Sequence, residues 1–431
     1  MEVTTYLEII EYLKRIIIGT EFEGHVYSVG GAERDLALKR EIKDIDIVID
    51  LPNGGIKFSQ WLYEKGVLIR EPIVYQHYGT AQFVFNEFPQ YEIEAVQTRK
   101  ECYRDIESRN PETAYGTIEE DASRRDFTIN AIYRNVSNGS RITFNDNTMH
   151  DIEHGIIRTC GDPLTIFTED PLRILRAVRF SHRLGFKIDE EIYLCMKICM
   201  PRLKIVSRER IRDEFEKIIC GPNAYDAWNT LKDTGFLNFY FGELMNMQSR
   251  IDFLSDEINN LPNDFITRLV VFFNPNAGIL TNIALNNLKY LLRLSNVEVN
   301  TFNFVFDSVY KFQRTKLTCF DIRHLAYDCG HGKAMTKKPK DIFLTIVKIA
   351  KCLDKNNTIN KPEHYLYLSG VQKMFDYTLP VNGEEIMTYV EKEEGRWLGS
   401  AMGMLRETAI RFPNITKSQC LELCGVMFKK I

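Results

Sequence analysis

The residues best placed to do chemistry begin with a pair of carboxylates. Lys43-Asp44-Ile45-Asp46-Ile47-Val48-Ile49 alternates acidic and apolar residues with period 2, so in a strand Asp44 and Asp46 point to one face while Ile45, Ile47 and Ile49 point to a core. Carboxylates converging from one strand suit the hard oxygen coordination of Mg²⁺, in sites where paired ions lie about 3.5–4 Å apart; a solvated edge face is the plain alternative. A third carboxylate is expected on a neighbouring strand. There Tyr91-Glu92-Ile93-Glu94-Ala95-Val96 carries Glu92 and Glu94 on one face, and spacing does not choose between them. Upstream, Val29-Gly30-Gly31 ends a strand and Ala32-Glu33-Arg34-Asp35 starts a helix. Two glycines let backbone N–H groups approach a phosphate closely, and Arg34 can add charge-assisted bonds. By itself a double glycine is only a turn; beside the acidic strand it becomes a phosphate candidate.

Two further segments concentrate charge. Asp121 to Ala131 packs charged and apolar residues more densely than a plain surface helix, and an Arg/Asp pair there could hold a triphosphate and a ribose hydroxyl, or form surface ion pairs. Glu169 to Phe180 opens a helix with Pro171 at the first helical position. Arg173, Arg176 and Arg179 lie three apart on one stripe, with Ile174, Leu175 and Val178 facing away; Asp170 is an N-cap or a ligand group. From Asp170 to Arg212 there are 11 Lys and Arg against 5 Asp and Glu, in a chain whose formal net charge is −4. The positive surface that an RNA or a triphosphate needs is therefore local.

These residues need elements to hold them. Tyr6, Ile9, Ile10, Leu13, Ile16 and Ile17 recur with helical period, which predicts an opening amphipathic helix. From His25 to about Thr159, β-rich runs (His25–Val29, Ile45–Ile49, Ala81–Phe85, Tyr91–Thr98) alternate with helical stretches and turns, the pattern of an α+β module. Beyond Asp170 strand signals nearly vanish, and helical patterns such as Asn282–Leu294 and Asp341–Leu353 predict an all-α half. Glu101 to Glu120 reads as the clearest loop. A chain of 431 residues is longer than one core usually grows, and 44% hydrophobic with 26% charged residues fits a folded protein. Met1-Glu2-Val3-Thr4 lacks a basic leader, and apolar runs such as Leu269–Phe273 are too short to span a bilayer, so a cytoplasmic protein without membrane attachment is expected. Cys195/Cys199 and Cys420/Cys424 sit four apart without His partners and read as buried thiols. His324, Asp328 and His331 read as ordinary polar residues. Lys333 to Lys340 is a candidate for phosphate contact, or a solvated charge run.

Four motifs in order carry a resemblance. GGAERD (Gly30–Asp35), DID (Asp44–Asp46), RRDFTINA (Arg124–Ala131) and EDPLRILRAVRF (Glu169–Phe180) look like the successive motifs of the class II tRNA nucleotidyltransferase and bacterial poly(A) polymerase family. SRERIRDEFEKII (Ser207–Ile219) is similar to that family's neck helix. LPVNGEEIM (Leu379–Met387) with Gly395–Leu405 resembles its tail, and little is recognisable between about Asn246 and Asp376. The resemblance implies an α+β nucleotidyltransferase head with a small mixed sheet over residues 1–160, followed by an all-α neck (161–225), body (226–375) and RNA-binding tail (376–431). It implies two Mg²⁺ ions on Asp44 and Asp46, with Glu94 as third carboxylate because Glu94 to Arg99 keeps the family's spacing. Gly30, Gly31 and Arg34 would meet the triphosphate, Arg125 and Asp126 the phosphate and ribose, Asp170 and Arg173 the base edge. Arg176 and Arg179 would continue the nucleotide and RNA-end contacts. The substrates would be CTP, ATP and a tRNA or other RNA 3′ end.

Three functions fit. A CCA-adding enzyme leads, because no basic-aromatic stretch follows the DID strand, where Leu51-Pro52-Asn53-Gly54-Gly55 stands, and the loop before Asp121 is long enough for a switching role. A poly(A) polymerase, or an enzyme adding only A or only CC, is second. A non-catalytic RNA-binding protein on the same fold is third, and retention of all three acidic positions argues against it. Two departures stand out. Glu33 occupies a usually apolar position and reads as a surface adjustment. The only His-Asp dipeptide, His150-Asp151, falls in a head loop, so no phosphohydrolase is expected.

Overall fold

The computed structural model describes residues 1–76, 79–102, 112–145, 147–242, 244, 256–273, 281–354 and 358–429. The chain divides into two compact units, Met1–Phe239 and Tyr240–Ile431.

The first unit opens with helix α1 (Val3–Ile17), followed by β1 (Val26–Val29), α2 (Gly31–Ala37), β2 (Ile45–Ile49), α3 (Gly54–Glu64), β3 (Ile73–Tyr75), β4 (Thr80–Val84), β5 (Glu92–Gln97), β6 (Arg99–Cys102), β7 (Glu112–Tyr115), α4 (Ile118–Ser123), β8 (Ile132–Asn135) and β9 (Arg141–Thr143). Seven strands form one sheet in the order β3-β4-β5-β2-β1-β8-β9. Within this sheet only β2 and β5 run parallel; its other pairings are antiparallel. The mixed sheet agrees with the expected fold class. The period-2 pattern explains its centre: Ile45, Ile47, Ile49, Ile93 and Ala95 are buried and pack with Tyr6, Ile9, Leu13 and Ile17 of α1. Burying each such aliphatic side chain stabilises the head by about 1.5–3 kcal/mol.

Several local expectations are corrected. The charged stretch from Asp121 is built in pieces: α4 stops at Ser123, a turn follows, and Thr128–Asn130 is a single 3₁₀ turn. Part of the expected loop is strand, because β6 and β7 pair as Arg99↔Tyr115 through Cys102↔Glu112; residues 103–111 lie outside the described residues. His150 and Asp151 sit in helix α5 (Asn147–His154), where buried Asp151 accepts from Thr128 Oγ1 at 2.7 Å and pairs with Arg158 at 3.3 Å. Glu33 is not a surface adjustment. It is 1% exposed, accepts from the Tyr6 hydroxyl at 2.6 Å and pairs with Arg134 at 2.8 Å, so its charge is compensated inside the head.

The unit continues with β10 (Ile156–Ile157), α6 (Pro163–Glu169), α7 (Leu172–Leu184), β11 (Lys187–Ile188), α8 (Glu190–Cys199), α9 (Arg208–Ile219) and α10 (Ala224–Asp233). Pro171 is the N-cap of α7 rather than its first helical residue. The short β11 pairs with β10, a strand beyond Asp170 that its two residues gave no period to reveal. Helix α11 (Phe236–Phe241) lies at the division between the units.

All regular structure described in the second unit is helical: α12 (Phe265–Phe272), α13 (Asn282–Leu291), α14 (Asn296–Arg314), α15 (Cys319–His331), α16 (Pro339–Cys352), α17 (Pro362–Leu366), α18 (Val371–Met374), α19 (Gly383–Val390), α20 (Arg396–Arg411) and α21 (Lys417–Phe428). Cys420 and Cys424 are core residues beside Ile386, Val390, Ala401 and Leu405. His324 does more than expected, bonding Asp328 at 3.0 Å and Glu407 at 3.2 Å and so tying α15 to α20. Lys337 is drawn out of the lysine run: its ammonium donates to Asp264 at 2.6 Å and to Thr267 and Thr345. Lys333, Lys338 and Lys340 are exposed. Among the described residues no helix is long and apolar enough to cross a membrane.

Candidate active site

The acidic centre is set by strand register. Parallel β2 and β5 align Ile45 with Ile93 and Asp46 with Glu94, so the two carboxylates leave adjacent strands on one face, opposite the buried isoleucines. Glu92 shares that face but stands two residues away, exposed, with Arg70 at 3.9 Å. Asp46 keeps an exposed side chain, yet the protein around it, then the charges of Glu94 and Asp44, push its carboxyl up to about 6, against the pull of Arg125. Glu94 is raised in the same sense by burial, Glu92 and Asp44, while Arg99 opposes. Such a cluster lacks positive charge, which a cation would provide. Among the described residues no group of three His, Cys, Asp or Glu could hold a metal by itself.

The double-glycine turn faces the arginines. Gly30 has φ +74, a conformation other residues rarely adopt, and a Cβ there would stand 3.4 Å from Arg125 Nη1. Its N–H donates to Ile132 O at 3.2 Å, and α2 begins at Gly31. Arg34 is held by neighbours inside the head. It is 3% exposed, with its guanidinium donating to Asp35 at 2.8 Å and Asn130 at 2.6 Å. Arg125 donates to the Tyr133 hydroxyl at 2.7 Å and pairs with Asp121 at 3.2 Å. Asp126 pairs with Arg176 at 2.7 Å and accepts from Asn130 at 3.0 Å. Burial opposes the ionised forms of Asp121 and Asp126, yet their arginine partners and hydrogen bonds hold both at about 2.

Arg125, Asp126, Asp170, Arg173 and Arg176 share one cavity of about 390 Å³. Arg124 also lines it, as do Arg210, Asp213, Glu214 and Lys217 of α9, none of which had been singled out. Their spacing of i, i+3, i+4 and i+7 is one helix face, a signal present in the sequence of Ser207–Ile219. Arg179 does not line the cavity; it pairs with Glu214 at 2.6 Å. Asp170 and Arg173 are brought to the same wall, joined by a backbone bond from Arg173 N to Asp170 O at 3.0 Å, but their side chains bond to other groups. Asp170 Oδ1 accepts from Leu172 N at 3.2 Å, a capping bond, while Oδ2 pairs with Arg210 at 3.0 Å. Arg173 donates to the carbonyls of Arg124 at 2.6 Å and Ile166 at 3.3 Å. An acceptor and a donor are thus fixed by separate partners in the lining of a strongly charged cavity.

Comparison with known proteins bears on this arrangement. Residues 26–158 match the family "Poly A polymerase head domain", and residues 185–247 the family "Probable RNA and SrmB- binding site of polymerase A". A CCA-adding enzyme of Leuconostoc mesenteroides is 30% identical over 70% of this chain and 71% of its own length. One from Staphylococcus haemolyticus is 27% identical over 95% of this chain and 96% of its own. The same fold recurs in the Bacillus stearothermophilus CCA-adding enzyme solved with CTP, with TM-score 0.72 at 22% identity, covering 98% of this chain and 97% of that one. The chain belongs to the class II CCA-adding enzyme family, whose head is shared with poly(A) polymerases.

Proposed function

We propose that this protein is a CCA-adding tRNA nucleotidyltransferase, using CTP and then ATP to complete a tRNA 3′ end. The observation that carries the reading is that Arg125 borders both halves of the site: it acts on the charge of Asp46 and lines the arginine-rich cavity. A nucleotide seated in the cavity would have its triphosphate beside Arg125 and Arg176 and its base edge before Asp170 and Arg173, which offer an acceptor and donors without a template strand. The RNA 3′-hydroxyl gives its proton to solvent water and its oxygen attacks the α-phosphorus, the O3′–P bond forms, the α–β bridging P–O bond breaks, and pyrophosphate leaves. Two Mg²⁺ ions held by Asp44 and Asp46, with Glu94 alongside, would supply charge neutralisation and lower the pKa of the attacking hydroxyl. The protein's share is positioning and a fixed field at the reacting phosphate.

In this reading the first unit carries the head (1–160) and neck (161–225), and the second most of the body (226–375) and the tail (376–431), which grips the RNA. The cytoplasm is its proposed setting. The test is incubation with tRNA ending at the discriminator base, each NTP alone and combined, and Mg²⁺, followed by sequencing of the ends. Ends reading CCA are expected. Runs of A, or addition of CC or A alone, would transfer the chain to the second function, and no extension with any NTP to the third.

A further inference from the structure

We infer that Phe180 is a positioning residue for nucleotide binding, its ring being the common seat of three guanidinium groups. Phe180 closes the EDPLRILRAVRF run on α7 and is 5% exposed. Arg176 and Arg179 of the same helix lie 5.3 and 4.3 Å from its ring centroid, and Arg34 of α2 lies at 5.2 Å. The ring is itself gripped by Phe127, edge to face at 5.8 Å and 79°. One aromatic group therefore joins the double-glycine motif, the RRDF turn and the arginine helix.

The chemistry of the ring explains why it stands there. Three like charges this close repel, and each is countered on one side by a carboxylate: Arg34 by Asp35, Arg176 by Asp126, Arg179 by Glu214. The negative π cloud holds them on the other side. Without it, Arg176 would be held by Asp126 and Glu214 alone, drawn toward them and more fully neutralised. Arg176 is the only one of the three that lines the cavity, so the effect reaches a ligand through it. A leucine or methionine fills the space but has no π face.

This rests on the reading of the cavity as the nucleotide site. The test titrates CTP and CMP, without RNA, into the full-length protein and its variants, with circular dichroism and thermal unfolding alongside. Phe180→Leu should weaken CTP binding on the order of tenfold and CMP binding about twofold, because the triphosphate relies on the arginine more than the nucleoside does. Phe180→Tyr, which keeps the ring, should bind CTP within about twofold of the parent. A merely structural role would lower the two affinities equally and leave their ratio unmoved. A folded Phe180→Leu with parental CTP affinity, or a Phe180→Tyr as defective as Phe180→Leu, overturns the inference; if the leucine variant does not fold, Phe180→Met is read the same way. Arg176→Ala separates the two levels. If it binds CTP like the parent, the cavity reading itself fails, whereas a weakened Arg176→Ala beside an unaffected Phe180→Leu removes only the role of the ring.

Discussion

Asp46 and Glu94 are partners across two parallel strands, and that register separates Glu94 from Glu92, its neighbour on the same face. Glu94→Ala should lose nucleotide transfer while Glu92→Ala keeps it, with thermal midpoints near the parent in both because neither side chain fills a core. A dead Glu92→Ala beside an active Glu94→Ala would show the register to be wrong. The pair at the start of α7 invites a second comparison. Asp170→Ala and Arg173→Ala each remove one base-edge group at a cost of roughly 1–3 kcal/mol, enough to erode NTP discrimination by one to two orders of magnitude. Steady-state kinetics with all four NTPs checks this, and a pure capping role for Asp170 predicts lower stability with unchanged preference. Acid provides a third. Asp121 and Asp126 sit at about 2 against an ordinary 3.8, so the folded chain binds fewer of their protons than the unfolded chain does. Their stabilisation is whole above about pH 4 and lost as pH falls through about 2, on the order of 2 kcal/mol for each. Urea unfolding between pH 5 and pH 2, about those two values, should show this loss, and Asp121→Asn should flatten it; an equally steep acid limb in the variant would refute the assignment.

At the scale of elements, helix α3 shows how closely the head is built. Asn53 takes φ 57 before the helix, and a Cβ on Gly55 would lie 2.6 Å from Ala95 O and 2.9 Å from Gly79 O. Neither backbone can yield without disturbing β5, the strand that carries Glu94. Gly55→Ala should therefore destabilise the head by about 1–3 kcal/mol and lower transfer with it. Gly399, inside α20 with nothing within 4 Å of its notional Cβ, is the opposite case, and Gly399→Ala should stabilise by about 0.5–1 kcal/mol. Thermal unfolding of both variants decides; a neutral Gly55→Ala would mean that α3 is free to lift from the strand.

For the whole molecule, a net charge of −4 requires that any attraction to RNA be local, and the lysine run of the second unit divides accordingly. Neutralising exposed Lys333, Lys338 and Lys340 should reduce the salt dependence of tRNA affinity by roughly 0.7–0.9 in log–log slope for each lysine that had neutralised a phosphate. Lys337→Ala should instead lower stability, since its half-buried ammonium holds Asp264, Thr267 and Thr345. An unchanged slope in the triple variant would mark the run as solvated surface.

The sequence by itself determined whatever depends on local period. Alternation placed Asp46 opposite Ile45, Ile47 and Ile49, the helical repeat produced α1, and motif order gave the α+β head before an all-α half. It left Glu92 and Glu94 equivalent, because a period of 2 puts both on one face and only the alignment of β5 with β2 distinguishes them. It misread the burial of Glu33 and gave no sign of that of Arg34, for a related reason. Whether a charged side chain on a short helix is exposed depends on partners far along the chain, Arg134 for one and Asn130 for the other, and such pairings leave no periodic trace. The cavity is a tertiary product in the same sense: α7 and α9 must pack before Asp170 meets Arg210 and Arg179 meets Glu214. Periodicity fixes which way a side chain points, but only packing decides what it meets there, because burial and charge pairing are set by neighbours that the chain brings together only when it folds.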